Sequence, residues 1–360
     1  MDYNSYRRKT REIRVGSVLI GGDNPISIQS MTNTDTHDVE ATYRQVKSLE
    51  ALGCDIVRIT APDIESLETF REIKRRGVKA PLVADIHFNY KIAVAAVEAG
   101  VDKIRINPGN IGSKEKVREV VLACKERGVP IRIGVNSGSL ERSILEKHGA
   151  PSPEALAESA LYHAAILEEL DFSDIAISVK ASNVPNMIAA NRILAKNTNY
   201  PLHLGVTEAG ARTKAIVKSS VGIGTLLAEG IGDTVRVSLT DDPREEIGAA
   251  REILASLGLL TRRGMDIISC PTCGRTKINL ISLLAEFEKR VKAEGLDEKD
   301  IKVAIMGCAV NGPGEAREAD IGIAGGNSEA LLFKHGEIIR KIEEDRILDE
   351  LINEIRQMVK

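Results

Sequence analysis

The chain has 360 residues, 43% of them hydrophobic, which is enough for a barrel-sized domain with its own core and a smaller second domain. Lys and Arg number 49 against 52 Asp and Glu, a net charge of −3, and with no Trp and 3% aromatic residues nucleic acid is not an expected partner. No apolar run approaches the roughly 18 to 20 residues of a membrane span, and the start lacks a signal peptide's apolar core, so we expect a cytoplasmic protein with no membrane partner.

Short β-branched segments alternate with amphipathic helical segments from Ile26 to Gly258, which is typical of strand–helix units on a parallel sheet. The eight predicted strands start at Ile26, Asp55, Pro81, Lys103, Ile131, Asp174, Pro201 and Asp233. Eight units predict an α/β fold of the (β/α)8 TIM barrel type. The preceding segment, TREIRVGSVLIGGDN, is expected to form a hairpin that plugs the bottom of the barrel. A doubly wound open sheet is the alternative.

The pattern changes after Gly258. A short basic connector is followed by a strand-like segment, a CPTC turn, a helix from about Ile278 to Ala293, further strands and a closing helix. This mixture predicts a separate, smaller α+β domain. We expect a barrel over 1–258, a linker over 259–264 and the second domain over 265–360.

Charged residues occupy inward positions of several predicted strands, where barrels normally carry Val, Ile and Leu. The alternation separates these cations from apolar neighbours on the same strand: Arg58, Lys103, Arg105, Arg132, Lys180 and Arg236. The only acidic residues that the pattern places with them are Asp85 and Glu208. Because unpaired buried charges are costly, six cations against two carboxylates predict a bound anion, and Arg favours phosphate.

Other polar residues sit at the predicted strand ends. Asp85 and His87 share one face of the third strand, and with Glu208 they are candidates for proton transfer. The segments after the fourth and fifth strands, NPGNIG and NSGS, present backbone amides that suit phosphate. We expect His203 to pack near a strand, and His37, His148 and His163 to lie in loops or on helix surfaces.

Three of the five cysteines lie in the last quarter of the chain. Cys270 and Cys273 form a CxxC pair, and Cys308 follows in GCAVNGPGE. The spacing fits structural zinc, completed by His335, or an iron–sulfur cluster held by three thiolates with Glu315 as a candidate fourth ligand. Cys54 and Cys124 are expected in the core, and a disulfide framework is not expected.

Several motifs in combination resemble the 4-hydroxy-3-methylbut-2-enyl diphosphate synthase family of the methylerythritol phosphate isoprenoid pathway, in its two-domain bacterial form. The motifs are VRIT, ADIHF, RINPGNIG, VNSGS, TEAG, EGIGDTVRVSLT, CPTCGRT and MGCAVNGPGE, and they cover essentially the whole chain. The resemblance implies a [4Fe-4S] cluster held by Cys270, Cys273, Cys308 and Glu315. It also implies a homodimer in which the cluster domain of one subunit caps the barrel of its partner.

The same resemblance implies a substrate, 2-C-methyl-D-erythritol 2,4-cyclodiphosphate, and two electrons delivered singly by reduced flavodoxin or ferredoxin. Glu208 becomes the candidate donor of the proton to the leaving oxygen. The implied substrate-binding positions are Arg58, Asp85, His87, Arg105, Arg132, Asn136, Lys180, Glu208, Arg236, Ser238 and Asn311. Two other functions stay open: a phosphate-binding barrel lyase or transferase with structural zinc, and a non-catalytic iron–sulfur sensor.

Overall fold

A computed structural model describes residues 3–261, 264–309 and 317–359. The chain divides into two compact units, Met1–Leu260 and Thr261–Lys360. Among the residues described, no helix combines the length and apolar character needed to cross a membrane.

The first unit begins with the predicted hairpin, formed by the antiparallel strands β1 (Ile13–Val15) and β2 (Val18–Ile20). Gly16, at φ +56°, makes the turn between them. Three apolar residues of the hairpin pack against Ile56, Val83 and Ala176, which lie near the amino ends of barrel strands. The hairpin therefore closes the bottom of the barrel, as the sequence predicts.

Eight parallel strands build the barrel, in the order β8-β7-β6-β5-β4-β3-β10-β9. They are β3 (Ser27–Met31), β4 (Ile56–Thr60), β5 (Leu82–Asp85), β6 (Lys103–Ile106), β7 (Ile131–Asn136), β8 (Ile175–Lys180), β9 (His203–Leu204) and β10 (Thr234–Val235). A parallel bridge between Ile177 and Leu202 joins the two ends of this sheet. The predicted barrel is confirmed, and the open doubly wound sheet is not observed.

Strand β9 is much shorter than the predicted segment PLHLGVT. It ends at Leu204 and is followed by Gly205, where an added Cβ would lie 2.6 Å from the carbonyl oxygen of Arg236 and 2.8 Å from Nζ of Lys180. The backbone approaches both neighbours closely at this point, which is the situation that glycine in a strand often marks. Beyond this point the chain leaves the regular strand and contributes Thr207 to the cavity lining.

Helices cover the outside of the barrel, and their apolar residues form its main core together with apolar residues of the strands. They are α1 (Val39–Ala51), α2 (Leu67–Arg75), α3 (Tyr90–Glu98), α4 (Pro108–Ile111), α5 (Lys114–Arg127), α6 (Arg142–His148), α7 (Pro153–Glu168), α8 (Val184–Asn197), α9 (Arg212–Ala228) and α10 (Pro243–Ser256). Side chains cap the start of two of these helices: Ser152 accepts a hydrogen bond from the Ala155 amide, and Asp242 accepts one from the Arg244 amide. Cys54 and Cys124 are buried, and burial raises the pKa of both thiols to about 12.

The second unit holds a mixed five-stranded sheet in chain order, with the first three strands parallel and the last two antiparallel. Its strands are β11 (Asp266–Ser269), β12 (Lys302–Met306), β13 (Ile321–Gly325), β14 (Glu329–Lys334) and β15 (Glu337–Glu343), and its helices are α11 (Leu280–Ala293) and α12 (Ile347–Met358). Both helices contribute to one apolar core with the sheet. The predicted α+β organisation is confirmed.

Candidate active site

A polar cavity of about 160 Å³ lies at the carboxyl ends of the barrel strands, the face on which TIM barrels carry their active sites. Nine predicted site residues line it: Arg58, Asp85, His87, Arg105, Arg132, Asn136, Lys180, Arg236 and Ser238. Gly134, Ser178 and Thr207 complete the lining. Alternate residues of a strand face the same side, so these positions from different strands lie on one surface. Their roles in binding and catalysis stay predictions.

Asp85 is the anionic centre of the cavity. Its carboxylate lies 3.2 Å from Nη1 of Arg105, 3.7 Å from Nε of Arg58 and 3.9 Å from Nε2 of His87. Burial raises the carboxyl pKa, but Arg58 and Arg105 outweigh it and lower the pKa of Asp85 to about 2. Asp85 is therefore ionised at neutral pH and suited to orienting the two arginines.

Arg58 has donors available for a ligand. Its Nη2 lies 2.8 Å from the sulfur of Met31, a thioether that accepts hydrogen bonds only weakly. Burial lowers the pKa of Arg58 to about 10, against the opposing effect of Asp85. A bound phosphate would offer Arg58 stronger hydrogen-bond acceptors than this sulfur, and a negative charge in addition to that of Asp85.

A second carboxylate lies outside the cavity lining and binds one of the lining arginines. Glu246, in the first turn of α10, is 3% exposed and binds Arg236 through two hydrogen bonds of 3.0 and 3.2 Å. It also accepts a hydrogen bond of 2.8 Å from Oγ of Ser30. Sequence reasoning missed this residue, although a signal existed: Glu246 lies on the buried face of α10 with Ile247 and Ala250.

Glu208 does not supply the second carboxylate, contrary to the charge count made from the sequence. It is exposed at φ +51° in the loop after β9, outside the cavity lining, although its neighbour Thr207 is part of that lining. The left-handed backbone there turns consecutive side chains in directions that strand alternation does not predict. Its role as a proton donor stays a prediction.

Cations outnumber carboxylates in the upper barrel. Five cationic side chains line the cavity together with one carboxylate, Asp85, an excess of four among the lining residues: Arg58, Arg105, Arg132, Lys180 and Arg236. Burial, and after it the neighbouring arginines, lowers the pKa of Arg132 and of Lys180 well below their usual values. Lys103 is buried outside the cavity lining, and burial likewise lowers its pKa. A bound dianion would relieve this repulsion.

Gly134 shapes the cavity by leaving room for a cation. An added Cβ would lie 2.3 Å from Nε of Arg105, so the guanidinium occupies the space that any side chain here would need. Nη2 of Arg105 also lies 3.4 Å from the carbonyl oxygen of Gly134. A glycine inside the strand IRIGVN is a sequence signal of such close approach.

In the second unit, two of the predicted metal ligands lie on loops that contact each other. Strands β11 and β12 are parallel neighbours with Ser269 paired to Ile305, so Cys270 and Cys308 follow adjacent strand ends. The Gly307 amide donates to Sγ of Cys270 at 3.3 Å, and the Lys277 amide donates to the Gly307 carbonyl at 2.9 Å. These bonds hold the 270–277 turn, which carries Cys273, against the start of the Cys308 loop.

The three cysteines provide the type of ligand that iron–sulfur clusters use. All three cysteines are free thiols, and backbone amides that donate to sulfur are typical of iron–sulfur sites. Glu315 and Asn311 lie outside the described residues. Over 3–261, 264–309 and 317–359, no three His, Cys, Asp or Glu side chains are grouped closely enough to hold a metal ion.

The zinc alternative completed by His335 is not supported by the sheet topology. His335 makes the turn after β14, whose Lys334 pairs with Ile321 at the start of β13. Cys270 and Cys308 follow the carboxyl ends of β11 and β12. These ends lie at the opposite edge of the sheet, where Met306 pairs with Ala324. At about 3.3 Å per residue, His335 is separated from that edge by roughly 10 Å or more along the sheet.

Comparisons with known proteins agree with this geometry. The profile of the GcpE TIM-barrel domain matches residues 10–251, and that of the GcpE protein C-terminal domain matches residues 266–357. A Clostridium perfringens protein named 4-hydroxy-3-methylbut-2-en-1-yl diphosphate synthase (flavodoxin) is 59% identical over 96% of this chain and 98% of its own. A Ruminiclostridium cellulolyticum protein of the same name is 60% identical over 98% of both chains.

A solved structure resembles the barrel alone. The type I 3-dehydroquinate dehydratase of Clostridium difficile superposes with a TM-score of 0.52 at 14% identity, covering 69% of this chain and 98% of that one. A likeness at this identity is evidence for the fold only.

Proposed function

This chain belongs to the family of 4-hydroxy-3-methylbut-2-en-1-yl diphosphate synthases, and from that membership we propose its reaction. The enzyme opens and dehydroxylates 2-C-methyl-D-erythritol 2,4-cyclodiphosphate by two-electron reduction, giving 4-hydroxy-3-methylbut-2-enyl diphosphate in the non-mevalonate isoprenoid pathway. The observation that carries the proposal is the cavity with four more cations than carboxylates. It occurs in a chain that is 59% to 60% identical, over nearly its whole length, to proteins of that name.

We propose that the cationic lining binds the two phosphates of the substrate. Planar guanidinium groups bind phosphate through paired hydrogen bonds, and the ammonium of Lys180 adds a point charge. The residues proposed for this task are Arg58, Arg105, Arg132, Lys180 and Arg236, with Asn136, Ser238 and Asn311 as polar partners. Asp85 holds Arg58 and Arg105 in place for binding.

Proton transfer is assigned among the three candidates that the sequence predicts at the strand ends. With a pKa of about 2, Asp85 is a carboxylate at neutral pH, which leaves Glu208 and His87 as the candidate donors. His87 lines the cavity and is half-exposed, and Glu208 lies in the adjoining loop beside Thr207. We propose that Glu208 protonates the leaving oxygen, and that His87 maintains the hydrogen-bond network around Asp85.

We propose that Cys270, Cys273, Cys308 and Glu315 hold a [4Fe-4S] cluster in the second domain. Such a cluster supplies electrons to the reaction one at a time. Three thiolates and one carboxylate make the fourth position the most readily replaced, since carboxylate is the weaker ligand for this soft metal site. The contacts between Gly307 and the 270–277 turn support this arrangement.

The proposed partners follow from the same family. The relatives carry flavodoxin in their names, so we propose reduced flavodoxin as the electron donor, with ferredoxin as an alternative. We further propose a cytoplasmic homodimer in which residues 265–360 of one subunit complete the active site formed by residues 1–258 of the other.

Anaerobic purification and turnover test the proposal. The expected protein is brown, contains iron and sulfide, and converts the cyclodiphosphate to the allylic diphosphate only when reduced flavodoxin is supplied. A colourless zinc protein that acts on a phosphate ester without electrons would instead identify the lyase or transferase alternative. An iron–sulfur protein that neither binds nor converts the cyclodiphosphate would identify a sensor.

A further inference from the structure

A carboxylate–imidazole pair with a buried imidazole and a half-buried carboxylate lies beside the fourth and fifth βα loops of the barrel. His163, on α7, is 1% exposed, and its Nε2 lies 2.5 Å from Oε1 of Glu141, the residue that precedes α6. The expectation that His163 lies on a helix surface is therefore wrong. Neither residue lines the cavity, so neither contacts the bound substrate in the proposed reaction.

The protonation of this pair follows from its surroundings. Burial raises the carboxyl pKa, but the hydrogen bond from His163 outweighs it, and the pKa of Glu141 falls to about 2. An ionised carboxylate only accepts hydrogen bonds, so Nε2 of His163 carries the proton and donates it. Among the residues that the structure describes, Nδ1 of His163 is buried without a hydrogen-bond partner. Such a pair costs free energy to bury, which requires an explanation.

The pair supports the fourth βα loop directly. An added Cβ on Gly109, in the short helix α4, would lie 2.8 Å from Oε1 of Glu141 and 3.3 Å from Nε2 of His163. The carboxylate and imidazole therefore occupy the space beside this glycine and leave no room for a side chain. The position of Gly109 is set by the position of the pair.

Hydrogen bonds connect this loop to the cavity. Asn107, the residue before α4, accepts from the Gly109 amide at 3.1 Å and donates to Oγ of Ser139 at 3.1 Å. Oγ of Ser139 in turn donates to the Asn136 carbonyl and accepts from the Asn136 amide, at 3.1 and 3.2 Å. Asn136 lines the cavity. A displacement at Gly109 thus reaches a cavity residue through three consecutive contacts.

We propose that Glu141 and His163 are positioning residues that fix the fourth and fifth βα loops, and so set the affinity of the cavity for the diphosphate substrate. The inference rests on the proposed function, because it concerns the substrate of that reaction. It explains why a buried imidazole is paired with a carboxylate outside the cavity: their contact with Gly109 fixes the hydrogen-bonded loops that carry Asn136.

The test uses His163→Leu and Glu141→Gln in the full-length enzyme loaded with its cluster. The control is His148→Leu, which breaks a similar 2.8 Å contact between the same two helices, α6 and α7, at Glu158. Since a misplacement of about 1 Å can cost about 100-fold, we expect each test variant to raise KM for the cyclodiphosphate about 10-fold while kcat changes less than about 3-fold. Iron content should equal that of the wild type.

Hydrogen exchange of residues 107–111 and 136–140 provides a readout that does not depend on turnover. Exchange should accelerate there in both test variants and stay unchanged in His148→Leu. Unchanged KM and exchange in the isosteric Glu141→Gln, or an equal rise in KM in the control, would overturn the positioning role. Failure of the wild-type enzyme to turn over the cyclodiphosphate would instead count against the proposed function, and the exchange comparison would still test the loops.

Discussion

Nη1 of Arg105 lies 3.2 Å from Oδ1 of Asp85, on the neighbouring strand of the barrel. The contact joins the anionic centre of the cavity to one of the cations proposed to bind phosphate. Because Arg58 lies 3.7 Å from the same carboxylate, one negative charge orients two guanidinium groups. The cavity lining thus combines one carboxylate with several cations.

Asp85→Asn keeps the shape of the side chain and removes its charge. We expect the free energy of unfolding to fall by about 2 to 4 kcal/mol, because Arg58 and Arg105 lose their buried counterion. Urea unfolding at pH 7 measures this loss. Added inorganic pyrophosphate should stabilise the variant more than the wild type, since an anion replaces the missing charge. Equal stability of the two proteins would contradict the role given to Asp85.

The stabilisation by Asp85 should also depend on pH. Its folded-state pKa of about 2 lies below the ordinary value of 3.8, so its contribution is full above about pH 4 and lost as the pH falls towards 2. The shift corresponds to roughly 2 kcal/mol. The stability difference between wild type and Asp85→Asn should therefore narrow over this acidic interval. If the difference in the free energy of unfolding stayed constant down to pH 2.5, the charge of Asp85 would not be the cause of that difference.

Glu246→Gln tests the carboxylate that the sequence did not reveal. The variant loses the charge that holds Arg236, and we expect KM for the cyclodiphosphate to rise about 10-fold because the guanidinium is no longer fixed. The matched control is Glu245→Gln, whose exposed pair with Arg212 should contribute little. Equal kinetics in the two variants would show that Glu246 has no special part in binding.

Gly134→Ala tests the space beside Arg105. The new methyl group would approach Nε of Arg105 to 2.3 Å, so the guanidinium must move, and we expect at least a 10-fold loss of kcat/KM. Gly138→Ala provides the comparison, because an added Cβ there meets no atom within 4 Å. Normal turnover by Gly134→Ala would mean that Arg105 binds from a different position.

Cys308→Ser tests the thiolate set. Since serine is a poor ligand for this soft site, we expect loss of iron, sulfide and brown colour while the barrel still binds the cyclodiphosphate. Cys124→Ala, in the core of the barrel, should reduce stability and leave the iron content unchanged. Full iron content in Cys308→Ser would remove this cysteine from the ligand set.

Local periodicity explains why the sequence predicts so much of the cavity. Arg58, Arg105, Arg132 and Arg236 each alternate with apolar neighbours on one strand, and the closed barrel brings them together. Turn and cap residues such as Ser152 and Asp242 are similarly local signals.

The missed features depend on contacts between distant elements. Glu246 reaches Arg236 only because α10 packs on the barrel, and the burial of His163 depends on the path of the loop that carries Glu141. Glu208 lies outside the cavity lining, in a loop where its backbone adopts φ +51°, a conformation that no alternation pattern encodes. The need for glycine at positions 109 and 134 could not be predicted either, since the groups that occupy the space beside them lie on other segments.

The most direct test of the central claim is an anaerobic electron count. A known amount of reduced flavodoxin is added to the wild-type enzyme with excess cyclodiphosphate, and the allylic diphosphate formed is quantified by mass spectrometry. The account predicts one product molecule for every two electrons, and none with Cys308→Ser. Product that forms without reductant, or in equal yield with Cys308→Ser, would contradict it.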